Sequence, residues 1–165
     1  NSNSMPYTKQ FASGGSSSLR AFRARSVGPG TYFDDARLNN PDSIFFDQTA
    51  DIKIETSLEY RFDLLGSLKG ALFADAGNIW LAREDPDRPG GLFKFNRFFS
   101  QLAIGTGVGI RYDADFFVLR FAVGFPVRKP WLEEDNRWVV DKIAPLNRNW
   151  RRQNLVLNIA IGYPF

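Results

Sequence analysis

The residue types available for chemistry in this chain exclude most forms of catalysis. Its 165 residues include neither cysteine nor histidine, so disulfides, thiolate metal sites and the commonest general base are absent. Ser16, Ser17 and Ser18 stand in a row, but they have no histidine partner and do not form a Gly-x-Ser-x-Gly elbow. We therefore expect no catalytic residues, no metal and no cofactor, and we predict that the chain is not an enzyme.

A different chemistry, the pairing of one arginine with two carboxylates, is available. Glu59 and Asp75 fall on the polar faces of two neighbouring predicted strands, and Arg20 lies in a glycine- and serine-rich segment before them. Two carboxylates that face one cavity favour a bound cation, and a guanidinium is a planar, bidentate donor. Arg20 could therefore pin its segment to the strands. The alternative is a surface arginine and two unrelated carboxylates.

The elements that would position these side chains are β-strands, because apolar and polar residues alternate strictly in segment after segment. We predict five strands, at about 51–63, 67–81, 99–112, 116–127 and 154–165. In each strand one face is apolar, and the other is charged, polar or rich in glycine. A soluble sheet also alternates, but a soluble barrel fills its interior with bulky apolar side chains. The polar second face favours strands that lie between lipid and a hydrated lumen.

Connection lengths and aromatic positions support the same interpretation. Very short connections at 64–67 and 113–115 alternate with long ones at 82–97 and 128–153, and aromatic residues gather at both ends of the strands. Both patterns are typical of outer-membrane barrels. No apolar run approaches the roughly 20 residues of a membrane-spanning helix, so strands must make the span. The predicted fold class is all-β, an antiparallel transmembrane β-barrel, and a soluble sandwich or small barrel is the alternative.

The chain divides into two parts by composition. Residues 1–50 lack sustained alternation and are rich in glycine, serine, asparagine, aspartate and proline, which predicts a long loop. Residues 51–165 hold the five predicted strands. An open five-stranded sheet in lipid would leave unpaired hydrogen-bonding edges. We therefore expect the chain to be a piece of a larger barrel that other strands complete.

The segment before the strands contains three ordered motifs, Gly14-Gly15, Leu19-Arg20-Ala21-Phe22 and Gly28-Pro29. These motifs are similar to the sixth extracellular loop of the BamA/TamA-like outer-membrane barrel assembly superfamily. Ala21 stands where most members have glycine, and this resembles the TamA-like proteins of the Bacteroidetes type. Further motifs resemble the strands that follow the loop in that superfamily. They are Phe73-Ala74-Asp75-Ala76-Gly77, Ser57-Leu58-Glu59-Tyr60-Arg61-Phe62 and the terminal Phe165.

The resemblance implies a place in the barrel for each part of the chain. Residues 1–50 would comprise the end of a preceding strand and a long extracellular loop that folds into the lumen. Residues 51–165 would be the last five strands of a sixteen-stranded barrel, preceded in the full protein by periplasmic domains. Arg20 would pair with Glu59 and Asp75, as a latch to which Phe22, Phe73 and Gly77 also belong.

The resemblance also implies a function and a location. The chain would belong to a factor that inserts or translocates proteins in the bacterial outer membrane. Its gate strand would run from Asn154 to Phe165, where an incoming strand can add to a weakly paired edge. Gly162 and Pro164 would weaken regular pairing there. The alternative function is a passive outer-membrane channel, a secretion pore or a surface barrel without insertase activity.

The expected place of the chain in an outer-membrane barrel also predicts its partners. We expect contacts with outer-membrane lipids, nascent outer-membrane proteins, periplasmic or membrane accessory subunits and the remaining strands of the barrel, but not with nucleic acid. Arg148, Arg151 and Arg152 form a basic cluster near the outer rim. One hypothesis for it is contact with lipopolysaccharide, and interfacial snorkelling is the alternative.

The apolar connection at 128–153 predicts a short helix or lid, with a weak helical pattern across Glu133 to Ile143.

Overall fold

The computed structural model describes residues 9–33, 48–114 and 116–162, and these contain one antiparallel sheet of five strands. Strands that follow each other in the chain are neighbours throughout, so the sheet is a meander. The strands are β1 (Ile52–Leu65), β2 (Leu68–Trp80), β3 (Ala103–Asp113), β4 (Val118–Arg128) and β5 (Val156–Gly162). The antiparallel all-β fold predicted from the alternation is confirmed.

The start of β3 differs from the prediction. The strand begins at Ala103 rather than at residue 99, because Phe98–Gln101 forms a 3₁₀ turn, which we call the rim turn. The guanidinium of Arg128 donates to the carbonyl oxygens of Phe99 (3.0 Å) and Ser100 (2.7 Å) and so stabilises this turn. These bonds come from a neighbouring strand, so the local alternation did not reveal them.

The start of β5 also differs. A short helix, α1 (Arg148–Asn154), precedes the strand, which begins only at Val156. The side chain of Asn147 accepts hydrogen bonds from the backbone amides of Asn149 (2.9 Å) and Trp150 (3.2 Å), as an N-cap does. The prediction that Asn154 begins the gate strand is therefore wrong. Asn154 is the last helical residue, and its side-chain oxygen accepts from Lys129 Nζ at 2.8 Å.

The connection at 128–153 contains a short helix, as predicted, but not across Glu133 to Ile143. That stretch contains two 3₁₀ turns, Glu134–Asn136 and Val140–Lys142, and the helix of this connection lies further along the chain, in α1. In the parts of the chain that the structure describes, no helix is both long and apolar enough to cross a membrane.

The two faces of the sheet differ in chemistry, as the alternation predicts. The outer face carries exposed apolar side chains, of which Leu58 and Leu157 are 75% and 64% exposed. Its other large members are Ile54, Tyr60, Phe62, Leu72, Val108, Ile110, Tyr112, Phe121, Ile159 and Ile161. Residues 11–30, which we call the docked loop, contact the opposite face, which we call the loop face. On the loop face, positions that pair from β1 to β4 form a row across the sheet. This row consists of Glu59, Phe73, Gly107 and Gly124.

The hydrophobic core lies between the docked loop and the sheet. Leu19, Phe22 and Val27 of the loop are buried in one cluster with Ala103 of β3, and Trp131 packs against that cluster. Each large apolar side chain that is fully buried contributes about 1.5–3 kcal/mol. The docked loop is therefore a packed part of the fold.

Candidate functional site

The docked loop turns back on itself so that Arg20 lies near its tip. Gly14 and Gly15 have φ values of +103° and +98°, in the left-handed region that glycine adopts without strain. The amide of Gly15 donates to the carbonyl of Phe22 at 2.9 Å, and the amide of Phe22 donates to Leu19 at 3.0 Å. A side chain at Gly14 would overlap the carbonyl of Arg23. The glycine pair thus permits the tight reversal that presents Arg20.

Arg20 binds both carboxylates that the sequence placed on neighbouring strands. Its Nε and Nη2 donate to the two oxygens of Asp75 at 2.9 and 2.7 Å, and its Nη1 donates to Glu59. Its own backbone amide donates to Asp75 at 2.9 Å. The side chain of Asp75 is fully buried, and that of Arg20 is 16% exposed. Removing one partner of such a buried pair costs about 3–5 kcal/mol, because the other charge is left uncompensated.

Further contacts fix the plane and the charge of the Arg20 guanidinium. Its central carbon lies 3.9 Å from the ring centroid of Phe73, within cation–π range. Burial alone would lower the pKa of Arg20, but hydrogen bonds and charges from Asp75 and Glu59 outweigh it and raise that pKa above its ordinary value. The guanidinium therefore stays charged. The structure brings Arg20, Glu59, Asp75 and Phe73 together, while their action as a latch stays a prediction.

Two polar residues of this site were missed by the sequence analysis. The hydroxyl of Ser57 accepts from Arg20 Nη2 at 2.9 Å and donates to Asp75 at 2.7 Å, so it completes the contact. The side-chain amide of Asn158, on β5, donates to the backbone carbonyl of Arg20 at 2.8 Å. Both residues lie on the polar faces of their strands, and Ser57 also begins one of the segments that resemble the superfamily.

Small residues let the loop backbone lie directly on the sheet. A Cβ at Gly124 would be 2.8 Å from the Cα of Ala21 and 2.9 Å from the carbonyl oxygen of Arg20, and one at Gly105 would overlap the methyl group of Ala21. Among the non-glycine residues that the structure describes, only Arg25 has a positive φ, of 58°. Alanine at position 21 thus requires no left-handed backbone, and its methyl group occupies the space left by Gly105.

A third carboxylate holds the first half of the docked loop. Glu55 accepts hydrogen bonds from the hydroxyls of Ser13 (2.6 Å) and Ser18, and it forms an ion pair with Lys53 at 3.1 Å. A Cβ at Gly77 would lie 2.7 Å from the Cγ of Glu55. Gly77, which was predicted as part of the Arg20 latch, therefore makes room for this second contact. Glu55 shares the strand and the parity of Glu59, a signal that the sequence analysis did not use.

The far end of the docked loop is attached to the end of β2. The amide of Gly30 donates to the carbonyl of Ile79 at 2.7 Å, and the side-chain amide of Asn78 donates to the carbonyl of Gly30 at 2.8 Å. Pairing between β2 and β3 ends at Gly77, opposite Ala103. Asn78 and Ile79 thus bind the loop just beyond the point where β3 leaves the sheet.

Phe22 anchors the loop through an aromatic contact. It is 4% exposed, and its ring meets Trp131 edge to face with centroids 6.1 Å apart. Trp131 in turn stacks on Phe33 at 4.8 Å. Trp131 lies in the long connection after β4, and its packing on the docked loop was not predicted from the sequence.

The three arginines predicted at the outer rim all lie on α1, but they are not equivalent. Arg151 Nη1 donates to the carbonyls of Pro145 (2.9 Å) and Leu146 (3.1 Å), so it stabilises its own connection. The backbone carbonyl of Arg152 accepts from Arg23 of the docked loop at 3.1 Å. Arg148 is exposed. Their contact with lipopolysaccharide stays a prediction.

The predicted gate residues are only partly within the described structure. Gly162 pairs in register with Val118, so regular pairing extends to this position. Pro164 and Phe165 lie outside the described residues, as do residues 1–8 of the predicted first part. The described part of β5 runs from Val156 to Gly162. The opening of its edge stays a prediction.

Together, the open antiparallel sheet, its exposed apolar outer face and the loop that covers its polar face define part of an outer-membrane β-barrel. The Omp85 superfamily domain matches residues 1–141, and the chain therefore belongs to the Omp85 superfamily. Members of this superfamily are outer-membrane β-barrels of Gram-negative bacteria or organelles. No curated protein and no solved structure matched the chain.

Proposed function

We propose that this chain is the loop-bearing part of the barrel of a bacterial outer-membrane protein assembly factor of the BamA/TamA type. The single observation that carries the proposal is the contact of Arg20 with Asp75 and Glu59, which holds the docked loop on the loop face of the sheet. Membership in the Omp85 superfamily supports assembly or translocation as the broader role. In this proposal the chain acts by binding and positioning, without catalysis.

The route for an incoming strand would be the edge of β5. That edge has no neighbouring strand among the described residues, so its backbone groups can pair with a strand that arrives from elsewhere. The docked loop reaches β5 through the bond from Asn158 to Arg20. Docking of the loop and the position of the edge strand would therefore be linked through one side chain.

The partners in this proposal are those expected from the sequence. Nascent outer-membrane proteins would add at the edge, the remaining strands would complete a sixteen-stranded barrel, and accessory subunits would act from the periplasm or the membrane. The outer face would contact lipid, and Arg148, Arg151 and Arg152 of α1 would contact lipopolysaccharide. A passive channel is the weaker alternative, because the docked loop reaches across the sheet from Lys53 of β1 to Asn158 of β5 and covers the face that a pore would need to leave open.

An assembly assay with the full-length protein tests this function. Liposomes carrying wild type, Arg20→Ala or Arg83→Ala would receive an unfolded outer-membrane barrel, and its folded fraction would be followed by heat-modifiable mobility. We expect Arg20→Ala to slow assembly at least several-fold and to make the docked loop sensitive to protease. Arg83→Ala, which removes an exposed arginine from another connection, should behave as wild type. Normal assembly with a protease-resistant loop in Arg20→Ala would contradict the proposal.

A further inference from the structure

Positively charged groups converge on the rim turn, on the side of the sheet where the long connections lie. The guanidinium groups of Arg128 and Arg137 both donate to the carbonyl of Ser100, at 2.7 and 3.2 Å. Two like charges on one carbonyl repel each other, so a bound anion nearby would stabilise the arrangement. Neither arginine belongs to the Arg20 site or to α1.

A cavity of about 170 Å³ opens beside this turn. Lys94, Arg97 and Arg137 line it, together with the polar side chains of Thr31 and Gln101. Lys94 and Arg97 form no ion pair among the described residues. The cavity thus has two cations available for a ligand and several hydrogen-bonding groups around them.

Carboxylates also line the cavity, but most are already neutralised. Asp85 is bound by Arg88 at 2.8 Å, and Glu134 lies 3.5 Å from Arg137. Glu84 alone has no cationic partner in the described part of the chain. Lys94 and Arg97 thus face one unpaired carboxylate, that of Glu84, and this net positive charge favours an anionic ligand.

Exposed aromatic rings lie next to this cationic cavity. Trp80, Phe93, Phe95, Phe98 and Phe99 form one aromatic cluster, with neighbouring ring centroids 4.1 to 6.4 Å apart. Trp80 is buried and pairs with Ile52 at the end of the apolar outer face. Phe95 and Phe99 are 82% and 72% exposed. The sequence Phe93-Lys94-Phe95-Asn96-Arg97-Phe98-Phe99 thus interleaves rings that suit a membrane interface with the two available cations.

We propose that the rim turn and its cavity bind the headgroup of a phosphate-bearing lipid. Lys94 and Arg97 contact the phosphate, for which charge-assisted hydrogen bonds are well suited. Phe95 and Phe99 lie at the level where the headgroup meets the acyl chains, so the rings favour a lipid over a free anion. The cavity has room for the headgroup only, and the chains extend along the outer face. This site is separate from the Arg20 latch and does not depend on the assembly function.

Native mass spectrometry of the full-length protein in neutral detergent tests the site. The probes are dioctanoyl phosphatidic acid, dioctanoyl phosphatidylcholine and inorganic phosphate. The first variant, Lys94→Gln/Arg97→Gln, removes the two cations, and the second, Phe95→Ser/Phe99→Ser, removes the two exposed rings. The control, Lys69→Gln/Arg120→Gln, makes the same change of charge as the first variant, but on the loop face. Because each cation near such a phosphate contributes on the order of 1 kcal/mol, we expect the first variant to bind phosphatidic acid roughly tenfold or more weakly. The control should bind as wild type.

The three probes distinguish a lipid site from a site for a soluble anion. We expect phosphatidic acid to bind more tightly than phosphatidylcholine or inorganic phosphate, and Phe95→Ser/Phe99→Ser to weaken only the lipid. Equal binding of inorganic phosphate and phosphatidic acid would overturn the lipid assignment and indicate a soluble anion. Absence of phosphatidic acid binding, or unchanged binding by Lys94→Gln/Arg97→Gln, would overturn the site itself.

Discussion

At the scale of single residues, Arg20 owes its effect to the geometry of its guanidinium group. It forms parallel bonds to Asp75, reaches Glu59 with a third nitrogen and lies flat on Phe73. A lysine would keep the charge but lose the paired bonds and the planar contact. Parity placed both carboxylates on one face, but it left open whether Arg20 reaches them, and the resemblance to the BamA/TamA-like superfamily implied the pairing. The sequence could not predict the role of Ser57, which depends on the rotamer it adopts between the two charged groups.

Glu55 provides a test of whether the loop has two independent attachments. Glu55→Ala removes the acceptor for Ser13 and Ser18 and should weaken that part of the loop by about 1–3 kcal/mol, the cost of unpaired polar groups. Hydrogen exchange in the full-length protein should show faster exchange of the Ser18 amide. Glu84→Ala, in an exposed connection, is the control. Unchanged exchange at Ser18 would show that Glu55 does not hold the loop.

Gly124 tests the close approach of the loop backbone to the sheet. Gly124→Ala places a methyl group 2.8 Å from the Cα of Ala21, closer than packed carbons tolerate. Overpacking of this kind costs about 1–3 kcal/mol, and we expect the loop to become sensitive to protease. The matched control is Gly162→Ala, since no atom of the described residues lies within 4 Å of the added Cβ. The prediction fails when both variants keep the protease resistance of wild type.

At the scale of elements, β5 is attached both to the sheet and to the docked loop. Among the described residues its one neighbouring strand is β4, and it is also bonded to the loop through Asn158. Asn158→Ala should cost about 1 kcal/mol and raise amide exchange in β5 several-fold, while the Ser18 amide stays protected. Asn96→Ala, in the connection before β3, is the control. Equal exchange of β5 in wild type and Asn158→Ala would exclude this coupling.

The elements also mark where sequence patterns stop being informative. Two-residue alternation predicted all five strands, since each has one apolar and one polar face. It failed at the starts of β3 and β5, where alternation continues into the rim turn and α1. The rim turn before β3 depends on Arg128, whose side chain binds a carbonyl group of that turn. The helix α1 before β5 depends on Asn147, whose side chain caps it. Such caps require particular contacts that periodicity does not report.

At the scale of the whole molecule, the docked loop connects parts that are far apart in the chain. It contacts β1 through Glu55 and Glu59, β2 through Asp75, β4 through Gly124 and β5 through Asn158. A sheet braced in this way would keep a fixed curvature until the loop is released. We therefore expect the loop to govern both the shape of the lumen and the availability of the β5 edge.

Labelling of one buried loop position tests the docked loop most directly. Leu19 is 1% exposed, the chain contains no cysteine, and Leu19→Cys introduces a smaller side chain that fits the same space. In membranes that contain the full-length protein with no other cysteine, we predict that a water-soluble maleimide labels this cysteine slowly. When Arg20→Ala is added, labelling should become at least tenfold faster, since loss of a buried ion-pair partner costs about 3–5 kcal/mol. Rapid labelling with Arg20 intact, or equal rates with and without Arg20→Ala, would contradict the account.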